Sequence, residues 1–167
     1  LFFYRFEYGY HFNKKFEYVE KLKTLAKAEY RQEKDSMSFP VKPQKILYDL
    51  RHALGDKDIV ISDVGMHKLW IARQYPAYEP NTVIISNGFA TMGIALPGAV
   101  AAKLVHPDRN VVAVCGDGGF LMNSQEIETA KRLGLAFVIV IFNDSKYGMI
   151  ESKQINQFGK PFGMSFG

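Results

Sequence analysis

An α/β fold, with a mostly parallel sheet and helices on both of its faces, is what this sequence predicts. Short continuous apolar runs recur at 59–61, 83–85, 111–115 and 136–142, the pattern of strands buried on both faces. Stretches of helical periodicity separate the runs. Two of the runs lead directly into acidic loops, with Asp117 in Gly116-Asp117-Gly118-Gly119 and Asp144 in Asn143-Asp144-Ser145.

Residues 14–45 are dense in lysine and arginine, with acidic residues interleaved. Val19, Leu22, Ala26 and Tyr30 recur every three to four residues, and Glu17 lies one turn before Lys21, so this stretch reads as an amphipathic surface helix. A nucleic-acid-binding face would gather basic residues without those acids, so no nucleic-acid partner is expected. Between 33 and 43, Asp35-Ser36-Met37-Ser38 and the prolines Pro40 and Pro43 break the periodicity. The chain is therefore expected to divide into 1–40, a helix and linker from a preceding region, and a domain over 41–167. The aromatic opening, with Phe2, Phe3, Tyr4, Phe6, Tyr8, Tyr10 and Phe12, is expected to pack on a neighbouring domain.

In the second region Ile46, Leu47, Leu50 and Leu54 predict a helix over 44–54 that Gly55 can stop. The strand at 59–61 ends at Ser62-Asp63 and leads into a helix through Leu69, Trp70 and Ala72. After the strand at 83–85, small residues crowd 88–98 before a helix reaching about Val105. The strand at 111–115 is followed by a loop and then a helix over 124–133. Asn123 and Glu126 form a capping-box pattern at its start, and Gly134 suits a left-handed stop. Right-handed crossovers make the last two strands parallel, so the loops bearing Asp117 and Asp144 leave the same carboxyl edge of the sheet. That edge is where open α/β sheets bind ligands.

A chain of 167 residues, 47% of them hydrophobic, is long enough for a real core. No stretch approaches the roughly 20 apolar residues of a membrane span, and Leu1-Phe2-Phe3-Tyr4 soon meets Arg5, Glu7 and His11. No signal peptide, no membrane partner and a cytoplasmic location are expected. Cys115 is the sole cysteine, which rules out a disulfide or a multi-cysteine zinc site within the chain and suits a buried strand position. His11, His52, His67 and His106 lack ligand spacing, so zinc is not expected.

Two carboxylates beside a glycine loop at a sheet edge suit Mg²⁺ carrying a phosphate, because the ion wants oxygen ligands and leaves positions for phosphate oxygens or water. Gly118 and Gly119 would let backbone amides approach those oxygens. Other cofactor patterns fit less well. A G-x-G-x-x-G turn would need glycine where Leu121 stands, and Gly88 and Gly93 are followed by Ile94-Ala95 where a P-loop needs Lys and Ser or Thr. A G-x-S-x-G elbow is absent.

Gly116-Asp117-Gly118, the intervening helix and the later Asn143-Asp144 pair resemble the diphosphate-binding motif of thiamine-diphosphate enzymes. The segments 63–70 and 85–88, with Thr91-Met92-Gly93 and Ala95-Leu96-Pro97, are similar to acetolactate synthases in particular, and the resemblance covers 41 to the end. It implies the thiamine-diphosphate-binding fold, here incomplete at the C-terminus. It also implies that Asp117 and Asp144 bind Mg²⁺ through carboxylates and Lys146 through its carbonyl. The family usually has asparagine where Asp144 stands; aspartate points to the catabolic branch. The cofactor would be contacted by Met66 and Gly116, by His67, Gly118 and Gly119 at the diphosphate, and by Ala90 and Met92 at the aminopyrimidine, with Met92 the wedge that bends it.

The implied reaction decarboxylates pyruvate and ligates the resulting enamine to a second pyruvate, giving 2-acetolactate. Met149 and Ile150 would line the substrate pocket. No catalytic residue is assignable in this chain, since the activating glutamate is expected on a partner's domain, so the piece is expected to be inactive alone and the whole protein a homodimer or tetramer. FAD is possible in the full-length protein but not indicated. A 2-keto-acid decarboxylase releasing an aldehyde, and a non-catalytic interaction module with a relic site, are the alternatives.

Overall fold

A computed structural model describes residues 13–166, so the aromatic opening and the neighbouring domain expected from it lie outside the described residues. The elements run α1 (Asn13–Gln32), α2 (Pro43–Ala53), β1 (Ile59–Ser62), α3 (Met66–Gln74), β2 (Val83–Ile85), α4 (Ala95–Val105), β3 (Val111–Gly116), α5 (Asp117–Met122), α6 (Glu126–Arg132), β4 (Val138–Phe142) and α7 (Gly148–Phe158). The four strands lie in the order β2-β1-β3-β4 and every pairing is parallel. This is the α/β architecture expected from the apolar runs.

Alternate residues of the central strands serve opposite faces, as the pleat requires. On one face Ile59, Ile61, Val111, Ala113 and Cys115 pack with Ala95, Leu96 and Ala99 of α4. On the other, Val60, Val112 and Val114 pack with Leu47 of α2 and Ile71 of α3. Helices therefore cover both faces. Gly98 lets α4 lie close on β1, because a β-carbon there would come within 3.2 Å of the Ile61 side chain.

Helix α1 forms a further layer over α2 and α3. Tyr30 is buried and its hydroxyl donates to the Tyr48 carbonyl at 3.5 Å, while Arg73 donates to Glu29 at 2.7 Å. Earlier on the helix Tyr18, Val19, Leu22 and Leu25 are exposed. The amphipathic stripe read from the sequence is thus buried only toward its carboxyl end. No helix among the described residues is long and apolar enough to cross a membrane.

Between β3 and β4 the structure differs from the expectation. The expected loop after the strand is the short helix α5, which contains Gly118 and Gly119. The following helix begins at Glu126 rather than at 124, and it has no side-chain cap. Asn123 does not form the expected capping box, because its amide nitrogen donates to the Gly93 carbonyl at 2.8 Å and its oxygen accepts from Gln125. A long-range bond has displaced a local one. Gly134 does take the left-handed conformation, with φ +66°.

Candidate functional site

Strand β1 neighbours both β2 and β3, and the chain turns to opposite sides of β1 to form them. The boundary between β1 and β3 is the switch point of the sheet, where diverging connections open a crevice at the carboxyl ends of the strands. Asp63 follows β1 there, Gly116 ends β3 and Asp117 opens α5. One strand over, Phe142 pairs with Gly116, so the loop carrying Asn143 to Lys146 stands beside Asp117.

The two expected metal carboxylates are brought to one place. Asp117 accepts the Gly118 amide at 2.7 Å and the Ser145 amide at 2.6 Å, tying its own turn to the second acidic loop. Burial and the nearby Asp117 charge raise the pKa of Asp144 from its ordinary value, against the opposing Lys146. Two anions drawn this close suit a cation between them. Ser145 has φ +54°, a left-handed conformation that costs a non-glycine residue energy and is concentrated at functional sites. Among the described residues no three His, Cys, Asp or Glu side chains gather as a metal cluster. The expected donor set differs in kind, being two carboxylates and the Lys146 main-chain carbonyl.

His67, in the first turn of α3, is 3% exposed, and its Nε2 has no hydrogen-bond partner. Burial lowers its pKa, with Asp63 and Asp117 pulling the other way. A buried orphan donor or acceptor at a sheet edge is the kind of atom a bound polar group satisfies. Small residues surround the ring: a β-carbon on Gly65 would lie 2.8 Å from it, and one on Gly116 would lie 3.5 Å away. Met66, next to it, lines a cavity of about 330 Å³ with Trp70, Asp144, Lys146 and Glu151, the last paired with Lys146 at 2.6 Å.

The remaining expected residues fall in the glycine turn, the segment before α4 and the start of α7. Gly118 is packed under the Tyr147 ring, which a β-carbon would approach to 2.6 Å, and Gly119 lies against the Asp63 carboxylate. The two glycines, both buried, therefore serve close packing. Ala90 and Met92 lie in the segment between β2 and α4, with Ala90 at φ +49°. Met149 and Ile150 stand on the first turn of α7, outside the residues lining the 330 Å³ cavity. Asp63, Asn123, Ser145 and Tyr147 were not nominated from the sequence. For Asp63 the missing signal was strand order, which alone reveals that its strand borders the switch point.

Residues 63–165 match the family model described as thiamine pyrophosphate enzyme, C-terminal TPP binding domain. The chain belongs to this family. It is 43% identical over 125 residues to an acetolactate synthase of Bacillus subtilis (strain 168), covering 75% of this chain and 22% of that protein. A catabolic acetolactate synthase of Raoultella terrigena is 42% identical over 130 residues, covering 74% of this chain and 23% of the relative. A probable acetolactate synthase large subunit of Methanocaldococcus jannaschii is 37% identical over 127 residues, covering 72% of this chain and 22% of the relative. The chain thus spans about a fifth of the length of these relatives. It is a thiamine-pyrophosphate-binding domain of the acetolactate-synthase-like kind. The orphan His67 nitrogen, the paired carboxylates and the glycine-lined edge fit the diphosphate end of such a cofactor.

Proposed function

We propose that this chain is the diphosphate- and Mg²⁺-binding part of an acetolactate synthase that decarboxylates pyruvate and joins the resulting two-carbon unit to a second pyruvate. The observation that carries the reading is the Asp117 carboxylate spanning from its own turn to the Asn143–Lys146 loop, with Asp144 beside it. Asp117, Asp144 and the Lys146 carbonyl would hold the metal, and Gly116, Gly118, Gly119, Met66 and His67 would face the diphosphate. His67, kept neutral by burial, can accept or donate one hydrogen bond there without adding charge. Ala90 and Met92 would meet the aminopyrimidine. When bound, thiamine diphosphate supplies the electron sink for loss of CO₂ from a 2-keto acid.

The protein's part is to orient the cofactor and to exclude water from the reacting carbon. Met149 and Ile150 would line the substrate side. Ile150, Leu121 and Phe89 are exposed apolar residues in three segments that leave the carboxyl ends of the strands, which supports a second subunit covering this edge. A homodimer or a tetramer would provide it.

The test is product analysis with the protein expressed complete, given pyruvate, Mg²⁺ and thiamine diphosphate, with acetolactate and acetaldehyde quantified together. Acetolactate is the expected product. Acetaldehyde alone would move the reading to a decarboxylase, and absence of turnover on pyruvate would sink it.

A further inference from the structure

Asp63 has no exposed surface, and among the described residues it forms no ion pair. An acidic side chain is costly to bury unless its oxygens are satisfied. Here Oδ1 accepts the Val64 amide at 2.6 Å, and both oxygens accept the Gly93 amide, at 2.8 and 3.0 Å. The other side of Gly93 is held too, since its carbonyl accepts from the Asn123 amide at 2.8 Å.

Gly93 is buried at φ +85°, and a β-carbon there would lie 2.7 Å from Asn123 and 3.1 Å from Met122. It is therefore a glycine by necessity, fixed between the end of β1 and the end of α5. The same Asp63 carboxylate lies against Gly119, 3.1 Å from where a β-carbon would stand. One buried acid thus joins the glycine turn after β3 to the loop before α4. That loop is also strained, since Ala90 stands at φ +49°, a conformation that persists only where its surroundings enforce it.

We propose that Asp63 and Asn123 are positioning residues that grip Gly93 from both sides and so set where Met92 and Ala90 stand relative to the Gly116–Gly119 turn. Neither residue touches the cofactor in this scheme. They fix the spacing between the part of the site that takes the aminopyrimidine and the part that takes the diphosphate. The inference rests on the cofactor reading given above.

Its test separates the two ends of the ligand. Affinities for thiamine diphosphate and for inorganic pyrophosphate, each with Mg²⁺, are measured by calorimetry on the complete protein and on D63N and N123A. Asn at 63 keeps the shape but sets an NH2 donor where Oδ2 accepts the Gly93 amide, so one of the two contacts to Gly93 becomes donor against donor. Thiamine diphosphate binding is expected to weaken about 10- to 100-fold in each variant, the range for residues that orient direct ligands. Pyrophosphate binding should stay within about twofold, because the Asp117 and Asp144 carboxylates and the amides that Asp117 accepts are unchanged.

Equal losses for both ligands would mean general damage to the domain and would overturn the proposal. Unchanged thiamine diphosphate binding in both variants would overturn it as well, leaving the cofactor reading intact. An unsubstituted protein that binds pyrophosphate but not thiamine diphosphate would refute the reading and the proposal together. Should D63N fail to fold, N123A decides by the same comparison, since Asn123 is only half-buried.

Discussion

At His67 a buried imidazole is held close to two carboxylates, and its surroundings set its charge. Burial lowers its pKa below the ordinary 6.5, outweighing the opposite pull of Asp63 and Asp117. The unfolded chain takes up a proton near that ordinary value while the folded one resists. Stability from this group is therefore full above about 6.5 and is lost as the pH falls through the folded value. The denaturation midpoint of the cofactor-free protein should drop between about pH 7 and about pH 5, and His67→Asn should flatten that slope. Parallel slopes would show that the ring is not the titrating group. Asp117, by contrast, was legible from the sequence because its motif is local, four residues at the end of an apolar run. Its bond to Ser145 was not, because Ser145 comes from the loop after the next strand.

Among the elements, the contacts named for α1 all lie in its carboxyl half. Tyr30 contributes the buried ring, tilted against Tyr48 at 5.2 Å between ring centres, and Glu29 holds Arg73. Truncating a buried aromatic to alanine typically costs about 3–5 kcal/mol. Tyr30→Ala should accordingly release α1, seen as faster amide hydrogen exchange through this helix while β1 and β3 stay protected. Unchanged exchange in α1 would show that other contacts hold it. Helical periodicity located α1 correctly, but periodicity reports which residues are apolar and not whether a neighbour covers them. That is why Tyr18, Val19, Leu22 and Leu25 emerged exposed. The Asn123 misreading has the same origin: a capping signal is local, and the Gly93 carbonyl won the side chain from thirty residues away.

For the whole molecule the prediction concerns ligand-linked stability. With Mg²⁺ and thiamine diphosphate at a hundred times the dissociation constant, unfolding of the complete protein should become harder by about 2.7 kcal/mol, and a chelator should remove the gain. Asp117→Ala should abolish the gain while costing the unliganded protein only about 1–3 kcal/mol for the lost amide bonds. A gain that survives in Asp117→Ala would take that residue out of the metal site. The sequence by itself determined the strands, most of the helices, the parallel α/β class, the family motif and the two acidic loops. Each of these is carried by neighbours in the chain, through side-chain period, glycine punctuation and short motifs. Tertiary structure alone decided that β1 lies between β2 and β3, that Asp63 therefore borders the switch point, and that Gly93 is gripped by residues on either side of it in the chain. Those contacts join residues far apart in sequence, and no local pattern encodes a pairing that exists only once the sheet has assembled.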